Sequence, residues 1–536
     1  MGNFLEKYKI PITALKWFFG FFGFYFLCGV IGGGFAEIMG FLQDGFDDLG
    51  REVNEKSFGG INSDGDIIWL ERELQNPFFW KIFIFISKLI GYIFSVQGAQ
   101  LLLSLSILVI LHELGHFIPA KLFKTRVEKF YLFFDPWFSV VKKKIGATEY
   151  GVGWLPLGGY VKISGMIDES MDKEQMKKPP ENWEFRAKPS WQRLIIMLGG
   201  VTVNLLLGIF IYSMTLYFYG DKYLPNKNLT DGVWCVSEVA NGLGFETGDR
   251  FLAADGEKIE RFSDVLEKII LSKVITVERN GINTDIEMPE NVVDKFLSNE
   301  RQLLFYPRVP SFVSSIVKNS NAEKAGLKKK DILVGINNKS FKYHDEIKTE
   351  LASHKGGEVL LLVERGGESV LLTSKVDQNG ELGFLNAIPS LEQLEELGYY
   401  SLTSYKYSFF SSLPAGYNKA IKKLTSYIDQ FVLILKPSSG AYKGLGGFGA
   451  IGSLFPSTWD WEVFWNLTAF LSLMLAFMNI LPIPALDGGH VVFLLYEMVV
   501  GRPAPEKIME YAQTIGMILL LSLLVFANGN DILRLF

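Results

Sequence analysis

Long apolar runs limit what this chain can fold into more than any other feature of its sequence. Trp17–Ala36 contains no charged residue, and further largely apolar runs cover Ala99–Ala120, Leu194–Tyr219, Val463–Pro484 and Ile515–Phe526. A helix needs about twenty apolar residues to cross the hydrocarbon core of a bilayer. Composition agrees, because 49% of the 536 residues are hydrophobic and only 21% are charged, fewer than is typical of soluble domains. The sequence therefore predicts a multi-span α-helical membrane protein.

Charge balance and cysteine content exclude two classes of function. Lys and Arg number 53 and Asp and Glu number 58, so the formal net charge is −5. Nucleic-acid-binding proteins usually carry a basic face or a basic tail, so no nucleic-acid partner is expected. Cys28 and Cys235 are the only cysteines, one in an apolar run and one in a polar region. This excludes a disulfide framework and a cysteine-rich metal site.

The distribution of positive charges predicts the orientation of the spans. Three lysines precede residue 17, and residues 121–144 carry seven Lys or Arg residues. Cytoplasmic segments are enriched in Lys and Arg, so both segments are expected in the cytoplasm. Only one span can then lie between Phe41 and Lys121, and Phe78–Phe94, which contains two lysines, is predicted to be an interfacial helix. Five spans result, with residues 221–400 and the C-terminus outside.

A sequence pattern occurs twice within residues 221–400, a segment too polar for the bilayer and too long for a loop. The copies are Leu243–Leu252 and Ala325–Leu333, and their aspartates, Asp249 and Asp331, are 82 residues apart. Each copy predicts a short helix, a tight turn and a strand. The pattern resembles tandem PDZ domains of the circularly permuted bacterial form, which implies two extracytoplasmic α+β domains. Such domains could bind peptides along a strand edge, or could be structural and merely obstruct access.

His112, Glu113 and His116 form a His-Glu-x-x-His motif within the run Ala99–Ala120. On a helix, positions i and i+4 share a face, so both imidazoles can bind one zinc ion while Glu113 acts as general base. Ionisable residues inside a span are usually functional, although a buried polar network between helices is an alternative. A catalytic zinc site has three protein ligands. Asp487, at a helix break rich in Pro and Gly, is the preferred third ligand, and His490 is a rival ligand or a supporting residue.

The two motifs together resemble a known family. His112-Glu113-x-x-His116 on one span and Asn479-x-x-Pro-x-Pro-x-Leu-Asp487-Gly on a later one look like the site-2 protease family (peptidase M50-like) of intramembrane zinc metalloproteases. The RseP type is the most similar, because the PDZ tandem lies between the motif-bearing spans. The resemblance covers roughly residues 98–536. Further matching segments are Leu155–Val161, Lys188–Arg193, Gly199–Asn204 and Gly501–Leu535.

Three parts of the sequence depart from the family pattern. Residues 1–97 lie outside it, Gly200-Val201 stands where Gly-Pro is usual, and Gly447–Ile451 replaces a segment resembling Gly-Pro-Ile. None of these differences falls on a predicted zinc ligand. They therefore bear on substrate preference rather than on the reaction.

The resemblance implies a mechanism and a set of substrate contacts. One Zn²⁺ per chain, held by His112, His116 and Asp487, would activate water, and Glu113 would pass the proton of that water to the leaving amine. A substrate helix hides its carbonyls in its own hydrogen bonds, so it must unwind. Gly151–Ile163 is predicted to form a short β-hairpin whose edge holds the unwound chain. The candidate substrate-binding residues are Asn479, Pro482, Gly158, Gly159, Tyr160 and Asn204, the last of which is equally explained by helix packing.

The predicted function is hydrolysis of peptide bonds within transmembrane segments in a bacterial inner membrane. The resemblance implies that the substrate is a pre-cleaved anti-sigma factor or a signal-peptide remnant. The PDZ domains would filter these substrates. One alternative is a non-proteolytic scaffold with peptide-binding PDZ domains and a closed, structural metal site. Another is a transporter, which the lack of inverted repeats disfavours.

The predicted fold class is a multi-span α-helical membrane protein with a membrane-associated β-hairpin and two PDZ domains. The predicted boundaries are 1–97 for an N-terminal extension, 98–220 for the first protease half, 221–305 and 306–395 for the PDZ domains, 396–460 for an amphipathic segment and 461–536 for the second protease half.

Overall fold

The predicted span Trp17–Ala36 and the predicted interfacial helix Phe78–Phe94 lie outside the residues that the structure describes. The structure is a computed structural model. It describes residues 95–166, 179–297, 303–387 and 389–533.

Two long helices joined by a β-hairpin form the first described part of the chain. Ser95 caps the first helix, its Oγ accepting a hydrogen bond of 3.1 Å from the Gly98 N–H. The elements are α1 (Val96–Leu122), β1 (Val127–Ile145), β2 (Thr148–Ile163) and α2 (Ser190–Tyr219).

The β-hairpin is longer than predicted. Strands β1 and β2 pair with each other, with Ile145 opposite Thr148 beside the turn. Residues 129–132 of β1 lie opposite both residues 149–152 and residues 159–162 of β2. The prediction that Gly151–Ile163 forms a hairpin by itself is wrong, because its two ends do not pair with each other: Tyr131 of β1 lies opposite both Gly151 and Tyr160. The chain instead reverses at Gly146, whose φ of +62° lies in the left-handed region that glycine adopts without strain.

By internal contacts the described chain divides into two compact units. One contains the long helices and the hairpin, and the other comprises residues 219–407 and 428–444. The second unit begins with a small α+β domain, whose four-stranded sheet has the order β6-β5-β7-β8. Its elements are β3 (Asp221–Tyr223), β4 (Val233–Cys235), α3 (Glu238–Gly242), β5 (Arg250–Ala254), β6 (Glu257–Lys258), α4 (Val265–Leu271), β7 (Val274–Arg279), β8 (Ile282–Glu287), α5 (Val292–Leu297) and β9 (Phe305–Pro307).

A second α+β domain follows directly. Its sheet has the order β14-β13-β11-β10-β15, and β12 pairs with β11. Alternate residues of the central strand β13 point into an apolar core, where Leu361 and Val363 are fully buried beside Ile347. The elements are β10 (Ser311–Ile316), α6 (Asn321–Lys324), β11 (Ile332–Ile336), β12 (Lys339–Ser340), α7 (His344–Ser353), β13 (Glu358–Arg365), β14 (Glu368–Lys375) and β15 (Phe384–Asn386).

Both domains contain the same buried ion pair. In the first, Arg279 donates to Asp249 with two hydrogen bonds of 2.8 and 2.7 Å. In the second, Arg365 donates to Asp331 with bonds of the same two lengths. Asp249 and Asp331 are 0% and 1% exposed. The aspartates of the repeated sequence pattern therefore occupy equivalent positions in two domains of similar element order.

After the second domain, the chain returns to the first. Helix α8 (Leu391–Glu396) contributes Leu394, which is fully buried in the core of the first domain together with Tyr400. Strand β16 (Thr403–Tyr405) then pairs antiparallel with β3. Residues 391–405 therefore belong to the first domain, although they follow the second domain in the sequence.

Five helices make up the rest of the described chain. The segment predicted to be amphipathic, residues 396–460, contains one long helix, which begins at Phe409 and ends at Ile434. The helices are α9 (Phe409–Ile434), α10 (Phe448–Gly452), α11 (Trp461–Ile480), α12 (Asp487–Val500) and α13 (Glu506–Leu533).

Four helices of the described chain, α1, α2, α11 and α13, are long and apolar enough to cross a membrane. They coincide with the four apolar runs predicted beyond residue 98, which supports the multi-span architecture. Helix α11 ends at Ile480, before the predicted Pro484, because Pro482 and Pro484 lack the N–H groups that would continue it. Helix α13 extends beyond the predicted Ile515–Phe526 at both ends.

Three glycines let α1 and α2 approach each other closely. A Cβ atom on Gly199 would lie 1.9 Å from the Gly115 oxygen, and one on Gly115 would lie 2.4 Å from the Gly199 oxygen. A Cβ on Gly200 would lie 2.3 Å from Nε2 of His116. Small residues permit such backbone contact between membrane helices, and here the contact lies beside the histidines of the motif.

Candidate metal centre

Three potential metal ligands converge in the helical unit. Nε2 of His112 and Nε2 of His116 lie 3.3 Å apart on α1. Asp487, the first residue of α12, places Oδ2 3.4 Å from the former and 3.3 Å from the latter. Both imidazoles are buried. The structure thus brings together residues that are 371 and 375 positions apart in the sequence.

The donor set fits a zinc ion. Oδ2 of Asp487 is buried and has no hydrogen-bond partner among the described residues. A buried carboxylate oxygen without a donor is costly unless a cation compensates it. Two imidazoles and one carboxylate are a donor set of catalytic zinc sites, in which the fourth position stays open to water or substrate.

Neighbouring polar groups orient both imidazoles. Nδ1 of His116 lies 2.8 Å from the Ile196 carbonyl oxygen, which can only accept, so the proton is on Nδ1 and Nε2 faces the cluster with its lone pair. The amide of Asn479 lies 3.2 Å from Nε2 of His112, the nitrogen that faces the cluster. Nδ1 of His112 lies 3.1 Å from the amide of Asn204. Contacts at the nitrogen turned away from the cluster, such as those at Nδ1 of His116 and of His112, are typical of metal-binding histidines.

The loop that precedes Asp487 is packed against the start of α12. A Cβ on Gly488 would lie 2.2 Å from the Leu481 oxygen, and one on Gly489 would lie 2.6 Å from the Ile483 oxygen. Glycine is therefore required at both positions for the loop to fold back over the helix. This local packing sets Asp487 at the helix start and explains why the Gly-Gly pair follows it.

A cavity of about 140 Å³ adjoins the three clustered residues. Glu113 lines it, as do Gly159 and Tyr160 of strand β2. Stacked rings, of Phe134 and Tyr160, form part of its hairpin side. The cavity therefore places the candidate general base, the candidate ligands and a strand edge around one space.

The remaining predicted site residues differ in position. Asn479 and Asn204 both contact His112, the first at Nε2 and the second at Nδ1. Asn204 is fully buried. Within the described part of the chain, Gly158 and Pro482 do not line the cavity. His490 does line it but is not one of the three clustered ligands.

Sequence reasoning missed Gln513, a buried residue of α13 that lines the same cavity. It lies two positions before the predicted apolar run Ile515–Phe526. A lone amide at the edge of a candidate span was the only available signal. Gln513 is distant in the sequence from the other residues that line the cavity, and nothing in the sequence relates it to residues near 112 or 487.

Comparison with known proteins relates most of the chain to one family. Residues 100–523 match the family model described as peptidase family M50. The regulator of sigma E protease of Haemophilus influenzae is 30% identical over 461 residues, which are 81% of this chain and 98% of that protein. The regulator of sigma-E protease RseP of Escherichia coli is 27% identical, covering 82% and 98%. A putative zinc metalloprotease of Vibrio cholerae is 28% identical, covering 81% and 98%.

One solved structure also matches a small part of the chain. It is a PDZ domain of an SdrC-like protein from Listeria monocytogenes, 21% identical, and the match covers 16% of this chain and 90% of that chain. The TM-score is 0.14, and no fold assignment follows from it.

Proposed function

Because the chain belongs to peptidase family M50, a family of intramembrane zinc metalloproteases, we propose that His112, His116 and Asp487 hold one catalytic zinc ion and that Glu113 is the general base. The chain is a zinc-dependent protease of a multi-pass membrane type. The observation that carries the site assignment is the convergence of three potential ligand atoms, Nε2 of His112, Nε2 of His116 and Oδ2 of Asp487, the last of which has no hydrogen-bond partner among the described residues.

The chain's own residues divide the chemistry between them. A zinc ion in the cluster supplies Lewis-acid chemistry, which polarises a peptide carbonyl and makes water a stronger acid. Glu113 follows His112 directly and faces the cavity, so its carboxylate can take the proton of the attacking water and deliver it to the leaving amine. Nδ1 of His116 stays protonated against the Ile196 carbonyl, which keeps Nε2 directed at the cluster.

We propose that the substrate binds as an extended chain beside strand β2. Gly158, Gly159 and Tyr160 lie on this strand, and the last two line the cavity. A peptide that adds to a strand edge has its carbonyls exposed for attack. Asn479, beside His112, and Pro482 would hold the same chain from the α11–α12 loop.

We propose that the hairpin is associated with the membrane. Strand β1 of the hairpin carries exposed apolar side chains: Trp137 is 91% exposed, Val140 is 59% exposed and Val141 is 63% exposed. Lys142, Lys143 and Lys144 follow at once. This arrangement is typical of a segment that inserts apolar side chains among lipids while lysines meet the headgroups.

The α+β domains are assigned as a PDZ tandem that filters substrates. Support comes from the repeated element order and from the equivalent Asp249–Arg279 and Asp331–Arg365 pairs. The proposed location is a bacterial inner membrane, with the tandem outside and the site toward the cytoplasm. The proposed substrate is a membrane-bound regulator, such as a pre-cleaved anti-sigma factor or a signal-peptide remnant, in keeping with the names of the relatives. Residues 98–220 and 461–536 would be the two halves of the protease.

The testing experiment is cleavage of a single-span helical reporter by the purified full chain in detergent. Wild type is compared with Glu113→Gln, and zinc content is measured for both. We expect wild type to cut within the span, and Glu113→Gln to keep its zinc while its rate falls by about 10² to 10⁴. If both proteins hold one zinc and neither cuts any reporter, including reporters with helix-breaking residues, the site is structural and the proposed scaffold alternative applies.

A further inference from the structure

Helix α13 holds the loop that presents Asp487 through two contacts. The Ala485 N–H donates a hydrogen bond of 3.1 Å to Oε1 of Gln513. One turn further along α13, a Cβ on Gly516 would lie 1.7 Å from the Pro484 oxygen, so the helix backbone rests on the loop backbone. Positions i and i+3 share a face of a helix. Gln513 and Gly516 therefore contact adjacent residues of the same loop.

The loop is strained where Gln513 binds it. Ala485 has a φ of +79°, in the left-handed region that residues with a Cβ seldom adopt. Such a conformation persists only where the surroundings impose it. The hydrogen bond to Gln513 is the side-chain contact that holds the Ala485 N–H, and Ala485 lies two residues before Asp487.

The position of Gln513 favours a role at the site over simple helix packing. Its side chain is 6% exposed and lines the cavity that His112, Glu113 and Asp487 also line. Its neighbour Thr514, by contrast, is exposed and bonds only to the Glu510 carbonyl of its own helix. A role in packing alone would not explain why the Gln513 amide binds the strained backbone of Ala485, two residues before the proposed ligand Asp487.

We infer that Gln513 is a positioning residue of the protease, which fixes the strained Ala485 backbone and thereby places the Asp487 carboxylate within the ligand cluster. The inference rests on the proposed role of Asp487 as a zinc ligand. Gln513 acts through the loop: its side chain accepts from the Ala485 N–H and is not one of the three proposed ligands. Its loss is therefore expected to lower metal affinity before it affects the chemistry of Glu113.

The experiment measures zinc affinity of the full chain in detergent by competition with a chelator, together with the visible spectrum of the Co²⁺-loaded protein. Gln513→Leu removes the acceptor at similar volume, and Thr514→Val is the matched control on the same helix. We expect Gln513→Leu to weaken zinc binding about tenfold or more and to change the cobalt spectrum, as supporting residues of metal sites do. Thr514→Val should leave both unchanged.

Rescue distinguishes positioning from general damage. Glycine adopts a positive φ without strain, so Ala485→Gly should restore most of the lost zinc affinity in the Gln513→Leu background. A variant that had simply lost its fold would not be rescued. The inference is overturned if Gln513→Leu binds zinc as wild type does, whether or not its KM rises, or if Ala485→Gly restores nothing. If wild type itself binds no zinc, it is the proposed ligand set that fails.

Discussion

The side-chain amide of Asn204 lies 3.1 Å from Nδ1 of His112, and both residues are buried between α1 and α2. When Nε2 of His112 binds a metal, Nδ1 carries the proton and needs an acceptor. Oδ1 of Asn204 has no partner among the described residues. A half-turn of the amide brings that oxygen to the Nδ1–H group, and the two ends of the amide are nearly equal in shape. Asn204 can therefore fix the tautomer of His112.

Replacing Asn204 should weaken the metal site. We expect Asn204→Leu to lower zinc affinity by about 10- to 100-fold, because His112 loses the group that orients its ring. Competition with a chelator measures this directly. Thr468→Val is a suitable control, since it removes another fully buried polar group of the spans, one that bonds to Ser104 and not to a histidine. Equal zinc affinity in Asn204→Leu and wild type would show that Asn204 serves helix packing alone.

Gly200 leaves no room for a side chain beside the imidazoles. A Cβ at this position would lie 2.3 Å from Nε2 of His116 and 2.6 Å from Cε1 of His112. The rings can swing aside more easily than the helices can part, so Gly200→Ala should lower zinc affinity by about a hundredfold while the protein still folds. Gly529→Ala in α13 meets nothing within 4 Å, and its zinc content should be that of wild type. Normal zinc binding by Gly200→Ala would contradict this account of the α1–α2 crossing.

Arg365 determines how the second α+β domain responds to acid. Burial alone raises the pKa of Asp331, but hydrogen bonds from Arg365 and from the Lys328 N–H, with the charge of Arg365, hold that pKa below its ordinary value. Asp331 therefore stabilises the domain above its unfolded pKa of about 3.9, and this contribution disappears as the pH falls through the lower folded value. Arg365→Met leaves the buried Asp331 carboxylate without its ion-pair partner and should cost about 3–5 kcal/mol at pH 7.

Hydrogen exchange along β11 and β13 measures that cost in the second domain, and exchange along β5 and β7 measures the effect of a control substitution, Arg250→Met, in the first domain. In Arg365→Met the pH dependence of the free energy of unfolding should reverse its sign. The domain is then more stable when the buried carboxyl of Asp331 is protonated than when it is charged. Arg250→Met breaks a pair with Glu278 in which the two side chains are 27% and 30% exposed, and it should cost about 1 kcal/mol or less. A loss at Arg365 no larger than at Arg250 would mean that the buried pair contributes little.

His344 should make the α+β region less stable in mild acid. Burial, with a smaller effect of Lys348, lowers the pKa of His344 to about 4, and its ring packs edge-on against Trp234 at 5.4 Å. The unfolded chain binds a proton near pH 6.5, so stability is lost as the pH falls from about 6.5 toward 4. His344→Gln cannot titrate and should remove this part of the pH dependence in hydrogen exchange at α7. An unchanged pH profile in the variant would contradict the assignment.

Local patterns predicted the parts of this protein that depend on neighbouring residues. The spacing of His112 and His116 alone places both rings on one helix face, and the length of each apolar run predicts a span. The sequence pattern around Asp249 and Asp331 likewise predicts two strands, because the turn residues and the strand that follows are adjacent in the chain.

Contacts between distant segments could not be predicted in the same way. Asn204 meets His112 across 92 residues, and Ala485 meets Gln513 across 28. Leu394 is an ordinary leucine of a short helix, yet it fills the core of a domain that begins more than 150 residues earlier. These contacts depend on how the helices cross and on where the chain folds back. The hydrophobic periodicity of a sequence contains no information about either.

The pairing of β3 with β16 has an evolutionary consequence. Asp221 stands opposite Tyr405, so the chain enters and leaves its α+β region through neighbouring strands whose Cα atoms lie about 5 Å apart. A segment with such adjacent ends can be gained, lost or exchanged as a cassette, since a tight turn could bridge the same gap. The α+β region can therefore diversify, or be swapped for another module, without any change in the order of the spans that carry the metal ligands.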